Sequence, residues 1–144
     1  MPGVLLDTHA LIWFLSEEPM EDVALAAIGE AQAVEALFVS PISAWDAALA
    51  LRHRNPARRP NLNEQDAATW FRRGREAMGA KLIKVGVRIA LEAARVPGIC
   101  NHGDPGDCYL IATARTYRLP IVTRDTLMHE LSARMPGYLN VVRC

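Results

Sequence analysis

The stretch VLLDTHALIWFL, residues 4 to 15, decides the fold. It opens on a short apolar run, is broken by Asp7, and continues as THALIWFL with apolar side chains at helical spacing until Ser16, Glu17, Glu18 and Pro19 stop it. A buried strand at 3 to 6 thus passes through an acid directly into a helix at 8 to 16. The same unit recurs outward along the chain. LFVS at 37 to 40 precedes a helix capped by Ser43 and running to about Arg54, KLIKV at 81 to 85 precedes a helix at 87 to 95 that Pro97 and Gly98 stop, and LPIVTRD at 119 to 125 precedes a helix at 126 to 134. Further helices are predicted at 20 to 35, at 64 to 78 behind Asn63 and Asp66, and at 104 to 118, where Asp104 and Pro105 suit the N-cap and first helical positions. RNPARRPNLN at 54 to 63 reads as a loop, and residues 138 to 142 as a last strand. Strand and helix alternate throughout, so the expectation is an α/β fold: a mostly parallel central sheet of about five strands flanked by helices, in a single domain over 1–144.

The composition fits that expectation and removes several classes. With 144 residues, 51% hydrophobic and 22% charged, the chain can bury an ordinary core and is not a disordered segment. Cys100, Cys108 and Cys144 make an odd set without framework spacing, which points to free thiols in a reducing cytoplasm. No basic leader or spanning apolar run is seen, so no membrane association is expected. The sequence has no G-x-S-x-G, P-loop or G-x-G-x-x-G, which argues against hydrolase-elbow, nucleotide-triphosphate and dinucleotide chemistry.

A net charge of zero conceals an asymmetry. Residues 1 to 51 hold eight acids and no Lys or Arg, whereas residues 52 to 88 hold ten basic residues against Glu64, Asp66 and Glu76. A basic block of this kind either contacts a phosphate backbone or is a solvated face. Arg52, Arg54, Arg58 and Arg59 follow the helix that carries Asp46 and are candidates to hold substrate phosphates.

Four acids carry the chemistry. Asp7, Asp46, Asp107 and Asp125 stand where a strand gives way to a helix or where a helix begins, and in open parallel sheets the ligand crevice lies beyond the carboxyl ends of the strands. Each has a structural explanation of its own. Asp7 and Asp125 suit N-caps, Asp46 lies three residues after Ser43 as in a capping box, and Asp107 sits in the first turn of its helix. Four acids converging on one rim exceed those separate explanations. At ~4 Å and an effective dielectric near 20 each pair repels by about 4 kcal/mol, so the set requires protons or a cation, and hard dications with oxygen ligands are the natural solution. Thr8, Thr123 and Asp104 are placed to orient ligand carboxylates or metal-bound water. His9 and His102 are neighbours of proposed ligands and read as neutral helix-end groups or substrate contacts, since Cys100-x-His102-x5-Cys108 is one ligand short of a structural zinc site.

The strings VLLDTHALIWFL, SPISAWDAALAL, HGDPGDCYLIATA and LPIVTRD, in that order, resemble the PIN-domain ribonucleases, and among them the VapC toxins of bacterial toxin–antitoxin pairs. The resemblance covers nearly the whole chain. It aligns Asp7 with the family's first acid, Asp46 with a position usually held by Glu, Asp107 with the third acid and Asp125 with the closing T-x-D, and it places Cys108 where Arg is common. It implies a PIN-like fold, one or two Mg²⁺ or Mn²⁺ ions held by the four acids, hydrolysis of phosphodiesters in single-stranded or looped RNA, a cognate VapB-type antitoxin, and a homodimer. It further implies an antitoxin groove involving Trp13, Phe14 and Trp45, for which burial in the core is the competing reading, favoured for at least two of the three. The alternative function is a catalytically weak PIN protein that acts chiefly as an antitoxin-binding partner, a reading motivated by Asp46 in place of Glu and Cys108 in place of Arg.

Overall fold

The computed structural model describes residues 3–64 and 66–144. The chain forms β1 (Val4–Leu6), α1 (Thr8–Leu15), α2 (Asp22–Ala33), β2 (Leu37–Val39), α3 (Pro41–Leu51), a 3₁₀ turn (Pro56–Arg58), α4 (Ala67–Met78), β3 (Lys81–Leu82), α5 (Val87–Cys100), α6 (Pro105–Tyr117), β4 (Ile121–Thr123), α7 (Thr126–Arg134) and β5 (Val141–Arg143). The five strands make one sheet in the order β3-β2-β1-β4-β5, and every pairing is parallel. The expected α/β architecture is therefore observed.

The strands are apolar at consecutive positions because helices cover both faces of the sheet, yet the two-residue period still sorts their side chains. Val4, Leu6 and Val122 point into one core with Leu11, Ile28 and Trp70, whereas Leu5 and Ile121 point into the other with Ile89, Val96, Ile111 and Met128. Trp13 and Phe14 pack partly against the first of these cores, while Trp45 remains 45% exposed on α3.

The strand order positions the site. From β1 the chain steps outward to β2 and β3, then returns across the sheet to lay β4 on the opposite side of β1 and β5 beyond it. The connections leaving β1 and β4 thus run away from each other, and a crevice opens between their carboxyl ends. Register pairs Leu6 with Val122, so Asp7 and Thr123 emerge side by side at that crevice.

Several elements differ from expectation at their ends. α3 is capped by Ser40, whose hydroxyl accepts from the Ile42 N–H at 3.1 Å, and not by Ser43; Pro41 at the first helical position sacrifices no hydrogen bond there. Ser43 is instead buried, and Asp46 lies in the second turn of the helix. α5 runs through Pro97 to Cys100. Only one intrahelical bond is forfeited so near the end, and Asn101 closes the helix in the left-handed region at φ 55°. β5 begins at Val141, because Gly137, at φ 87°, still turns the chain. The helix expected at 64 to 78 begins at Ala67 behind Asp66, with position 65 outside the described residues.

Candidate active site

Asp7 is drawn to the end of β1 by the strand before it and is held by the helix after it. Its Oδ1 accepts from the Ala10 N–H at 2.7 Å, as an N-cap does, and its other oxygen accepts from the Thr123 hydroxyl. Thr123 Oγ1 in turn accepts from the Asp125 N–H at 3.0 Å, so one buried hydroxyl couples the acids that follow β1 and β4. Asp125 caps α7 through the Met128 N–H at 2.9 Å. The N-cap explanations for both acids hold, and the caps aim their carboxylates into the same crevice.

The acid on α3 is anchored from α1. Thr8 Oγ1 lies 2.7 Å from Asp46 Oδ2 and 3.1 Å from Ser43 Oγ. A hydroxyl has one proton, and a carboxylate only accepts, so Thr8 donates to Asp46 and Ser43 completes the relay from below. Asp46 also rests against the start of α6: a Cβ on Gly106 would come within 2.7 Å of Asp46 Oδ1. Gly106→Ala is accordingly expected to displace the Asp46 carboxylate and weaken divalent-ion affinity ~10-fold, a loss typical of disturbed ligand support, with little change in melting temperature. Isothermal titration with Mn²⁺ checks this; unchanged affinity would detach Asp46 from the ion.

α6 begins with the Asp104 cap, whose Oδ1 accepts from the N–H groups of Gly106 and Asp107 at 2.9 and 3.3 Å. Asp107, one turn in, is the hub of the cluster. Burial, reinforced by the charges of Asp104, Asp125, Asp7 and Asp46 in that order, pushes its carboxyl up to about 7. Burial also raises Asp7, against the lowering effect of its hydrogen bonds to Thr123 and Ala10, and raises Asp46, against its bond from Thr8. In each case burial disfavours the anionic form, a cost that a bound dication would offset.

Asp7, Thr8, Asp46, Asp104, Asp107 and Asp125 all line one cleft of 440 Å³, walled by His9, Ile12, Trp13, Ala50 and Arg124. Every expected acid is thereby brought to one place. The arginines divide. Arg58 lines a second cavity that shares His9, Ile12, Trp13 and Ala50 with the acidic cleft. Arg59 turns back to donate to the His53 carbonyl at 2.8 Å, and Arg52 and Arg54 are exposed outside both cavities.

Two further residues stand beside the acids: Arg124, which the sequence reading gives no role, and His102, which it takes as a neutral helix-end group or substrate contact. Arg124 stacks its guanidinium 3.8 Å from the Trp13 ring centroid and donates to the carbonyls of Cys144 and Pro19, placing a cation at the rim. His102 lies behind the acids, with Nε2 3.3 Å from Asp107 Oδ2 and 3.9 Å from Asp125 Oδ1. For Arg124 the sequence signal is adjacency to Asp125, whereas His102 opens the HGDPGDCYLIATA string. Cys108, at the position where Arg is common in the family, is buried and donates its thiol hydrogen to the His102 carbonyl at 3.2 Å. Burial pushes that thiol up, which keeps it a donor.

The family profile of the PIN domain matches residues 4–133. The chain belongs to the PIN domain family. Among solved structures this PIN domain is similar to a chain of VapBC2 from Rickettsia felis bound to a DNA fragment from its promoter, at TM-score 0.68 and 10% identity over 98% of each chain. It is also similar to a chain of DNA-bound VapBC from Salmonella typhimurium, at TM-score 0.65 and 13% identity over 99% of this chain and 98% of that one. A toxin–antitoxin complex from Klebsiella pneumoniae matches at TM-score 0.58 and 22% identity over 97% and 96%. At such identities the likeness is one of fold. No curated protein matches the sequence. No helix among the described residues of the PIN domain is long and apolar enough to cross a membrane.

Proposed function

We propose that this PIN domain is a metal-dependent endoribonuclease, the VapC-type toxin of a toxin–antitoxin pair, which hydrolyses phosphodiesters in single-stranded or looped RNA in the cytoplasm. The observation that carries the reading is the convergence of Asp7, Asp46, Asp107 and Asp125 on one cleft, with burial raising three of them. The donor set fits Mg²⁺ or Mn²⁺: carboxylate oxygens on rigid element ends, with side-chain hydroxyls as support. When bound, the dication makes a water nucleophilic near neutral pH and stabilises charge on the scissile phosphate.

The residues of the chain do the rest. Asp107 and Asp7 would hold the ion together with Asp46 from α3 and Asp125 from α7, and Thr8 and Thr123 fix carboxylate orientations by hydrogen bonds. Asp104 fixes the first turn of α6, which carries Asp107. Arg124, with N–H groups left over from its two carbonyl partners, and Arg58 in the adjoining cavity hold flanking phosphates. Arg52, Arg54 and Arg59 add to the positive field along the same path. An unstacked strand suits the open cleft, because its bases can splay away from the reacting phosphate.

Trp45 and Leu49, one helical turn apart and both about half exposed, offer α3 as the seat for an amphipathic helix of a VapB-type antitoxin. Val87 and Leu91 on α5, exposed at 77% and 66%, offer a face for the second copy of a homodimer. Residues 1–144 act as one domain in this reading.

The deciding experiment is cleavage of structured RNA by the purified protein with added Mg²⁺ or Mn²⁺ and with EDTA. Cleavage is expected only with metal, and equal cleavage in EDTA would overturn the reading. The arginine assignment has its own measurement. Arg58→Ala is expected to lower the slope of log affinity against log salt by ~0.7, one phosphate contact on a single strand, with metal affinity unchanged. The pair Arg52→Ala and Arg54→Ala, outside both cavities, is expected to change the slope less; the reverse order would move the RNA path to the other side of the loop.

A further inference from the structure

We propose that His102 supplies a nitrogen ligand to a metal position framed by Asp107 and Asp125, and that this nitrogen makes the site favour first-row transition dications over Mg²⁺. The inference rests on the metal-dependent reading above and specifies which ion that reading requires.

His102 is 4% exposed, and its Nε2 is buried without a hydrogen-bond partner. The nitrogen approaches Asp107 Oδ2 at 3.3 Å without alignment for a hydrogen bond and lies 3.9 Å from Asp125 Oδ1. A buried polar atom left unpaired, aimed at two carboxylates, calls for a specific partner, and a metal ion is one that all three groups can share. One donor atom from each of His102, Asp107 and Asp125 lies within 4.8 Å of the other two. Metal–nitrogen and metal–oxygen bonds of about 2.0–2.2 Å place neighbouring ligand atoms about 3.0–3.4 Å apart, so the site needs only a small contraction to close on an ion.

The backbone holds the ring in place. α5 ends at Asn101 in the left-handed region, α6 is capped by Asp104, and the Cys108 thiol donates to the His102 carbonyl between them. His102 does not line the cleft. It would hold an ion from the buried side, whereas Asp107 and Asp125 face the cleft.

The nitrogen changes the preference of the site. Mg²⁺ takes oxygen ligands and retains its waters, whereas imidazole suits first-row transition dications, whose affinities rise from Mn²⁺ to Cu²⁺ and fall again at Zn²⁺. A purely carboxylate cluster would favour neither class so clearly. The competing arrangement is an imidazolium paired with the two carboxylates, which binds no ion through nitrogen.

The test is pulsed electron paramagnetic resonance on the wild-type protein loaded with Mn²⁺, together with calorimetric Mn²⁺ and Mg²⁺ affinities for wild type and His102→Asn. A directly bound ¹⁴N coupling is expected in wild type. In His102→Asn the Mn²⁺ over Mg²⁺ preference is expected to fall by ~10-fold or more, with Mg²⁺ affinity changed much less. Because the nitrogen coupling is read on the unaltered protein, it decides the matter even where the variant fails to fold. Mn²⁺ bound without nitrogen coupling would overturn the role of His102 and leave the metal-dependent reading standing. Absence of binding by either ion at millimolar concentration would overturn both.

Discussion

Asp107→Asn is expected to lower metal-dependent RNA cleavage by ~1,000-fold or more while leaving the fold in place. Asp107 is the acid that feels all the others, with Asp104, Asp125, Asp7 and Asp46 each raising its carboxyl, so it lies nearest the point where a dication would be shared. Asparagine keeps the shape and removes the charge. The fold should tolerate the change because, among the described residues, the Asp107 carboxylate caps no helix and accepts no aligned hydrogen bond. Asp7 is a less clean target, since its carboxylate also holds the Ala10 N–H and the Thr123 hydroxyl, and its loss would loosen the start of α1. The measurement is single-turnover cleavage in Mn²⁺ and Mg²⁺ beside circular dichroism of the same preparation. Growth arrest on expression without a partner should disappear in the same variant. Cleavage within ~10-fold of wild type would remove Asp107 from the metal set and favour the binding-partner reading.

What the sequence disclosed, and what it concealed, follows from the range of the interactions. Local signals located nearly every element: the apolar run before Asp7, the Asp104–Pro105 start of α6 and the Asp66 start of α4 each depend on a few neighbouring residues. The alternation of strands and helices then implied a parallel sheet, and the observed strand order puts Asp7 and Asp125 beside its switch point. The differences lie at element ends. Ser40 belongs to the strand in the sequence reading, yet it caps α3, with Pro41 in the first helical position. Pro97 was read as a stop, yet so near the end of α5 it costs one bond, and the Cys100 thiol donates to the Val96 carbonyl within that last turn.

The extent of α5 also decides where His102 points. With α5 ending at 95, the histidine belongs to a long loop with no fixed direction; with α5 running to Cys100, a short connection between two packed helices pins it behind Asp107 and Asp125. The contacts of Gly106 with Asp46, of Arg124 with Trp13 and of Thr8 with Asp46 join residues distant along the chain. No local pattern encodes them. Arg58 is distinguished from Arg52 and Arg54 for the same reason, because the path of the loop across α1 decides which arginine adjoins the cleft.

The acid cluster should also govern stability in the absence of metal, with a definite sign. Asp107 is raised from 3.8 to about 7 in the folded protein, chiefly by burial and then by its acidic neighbours. Between those values the unfolded chain has released the proton and the folded one retains it, so stability falls as pH rises through the window and levels off above about 7. At face value the shift corresponds to about 4 kcal/mol, and partial solvent contact, with the side chain 24% exposed, reduces this to ~2–4 kcal/mol. Asp7 and Asp46 are raised as well and act in the same direction. In EDTA the wild-type protein should therefore melt several degrees lower at about pH 8 than at about pH 5.5, since each kcal/mol is worth ~2–4 °C in a chain of this size. Asp107→Asn should flatten that dependence and be the more stable protein at about pH 8 without metal, despite being inactive, as expected where function maintains a strained charge cluster. Saturating Mn²⁺ should restore the wild type and leave the variant nearly unmoved, because an ion that binds only the folded state stabilises in proportion to the logarithm of its excess over Kd. Melting temperatures in EDTA that stay level or rise between the two pH values, in wild type relative to Asp107→Asn, would mean that neither burial nor the neighbouring carboxylates hold Asp107 above its ordinary range, and that the cluster has no need of a cation.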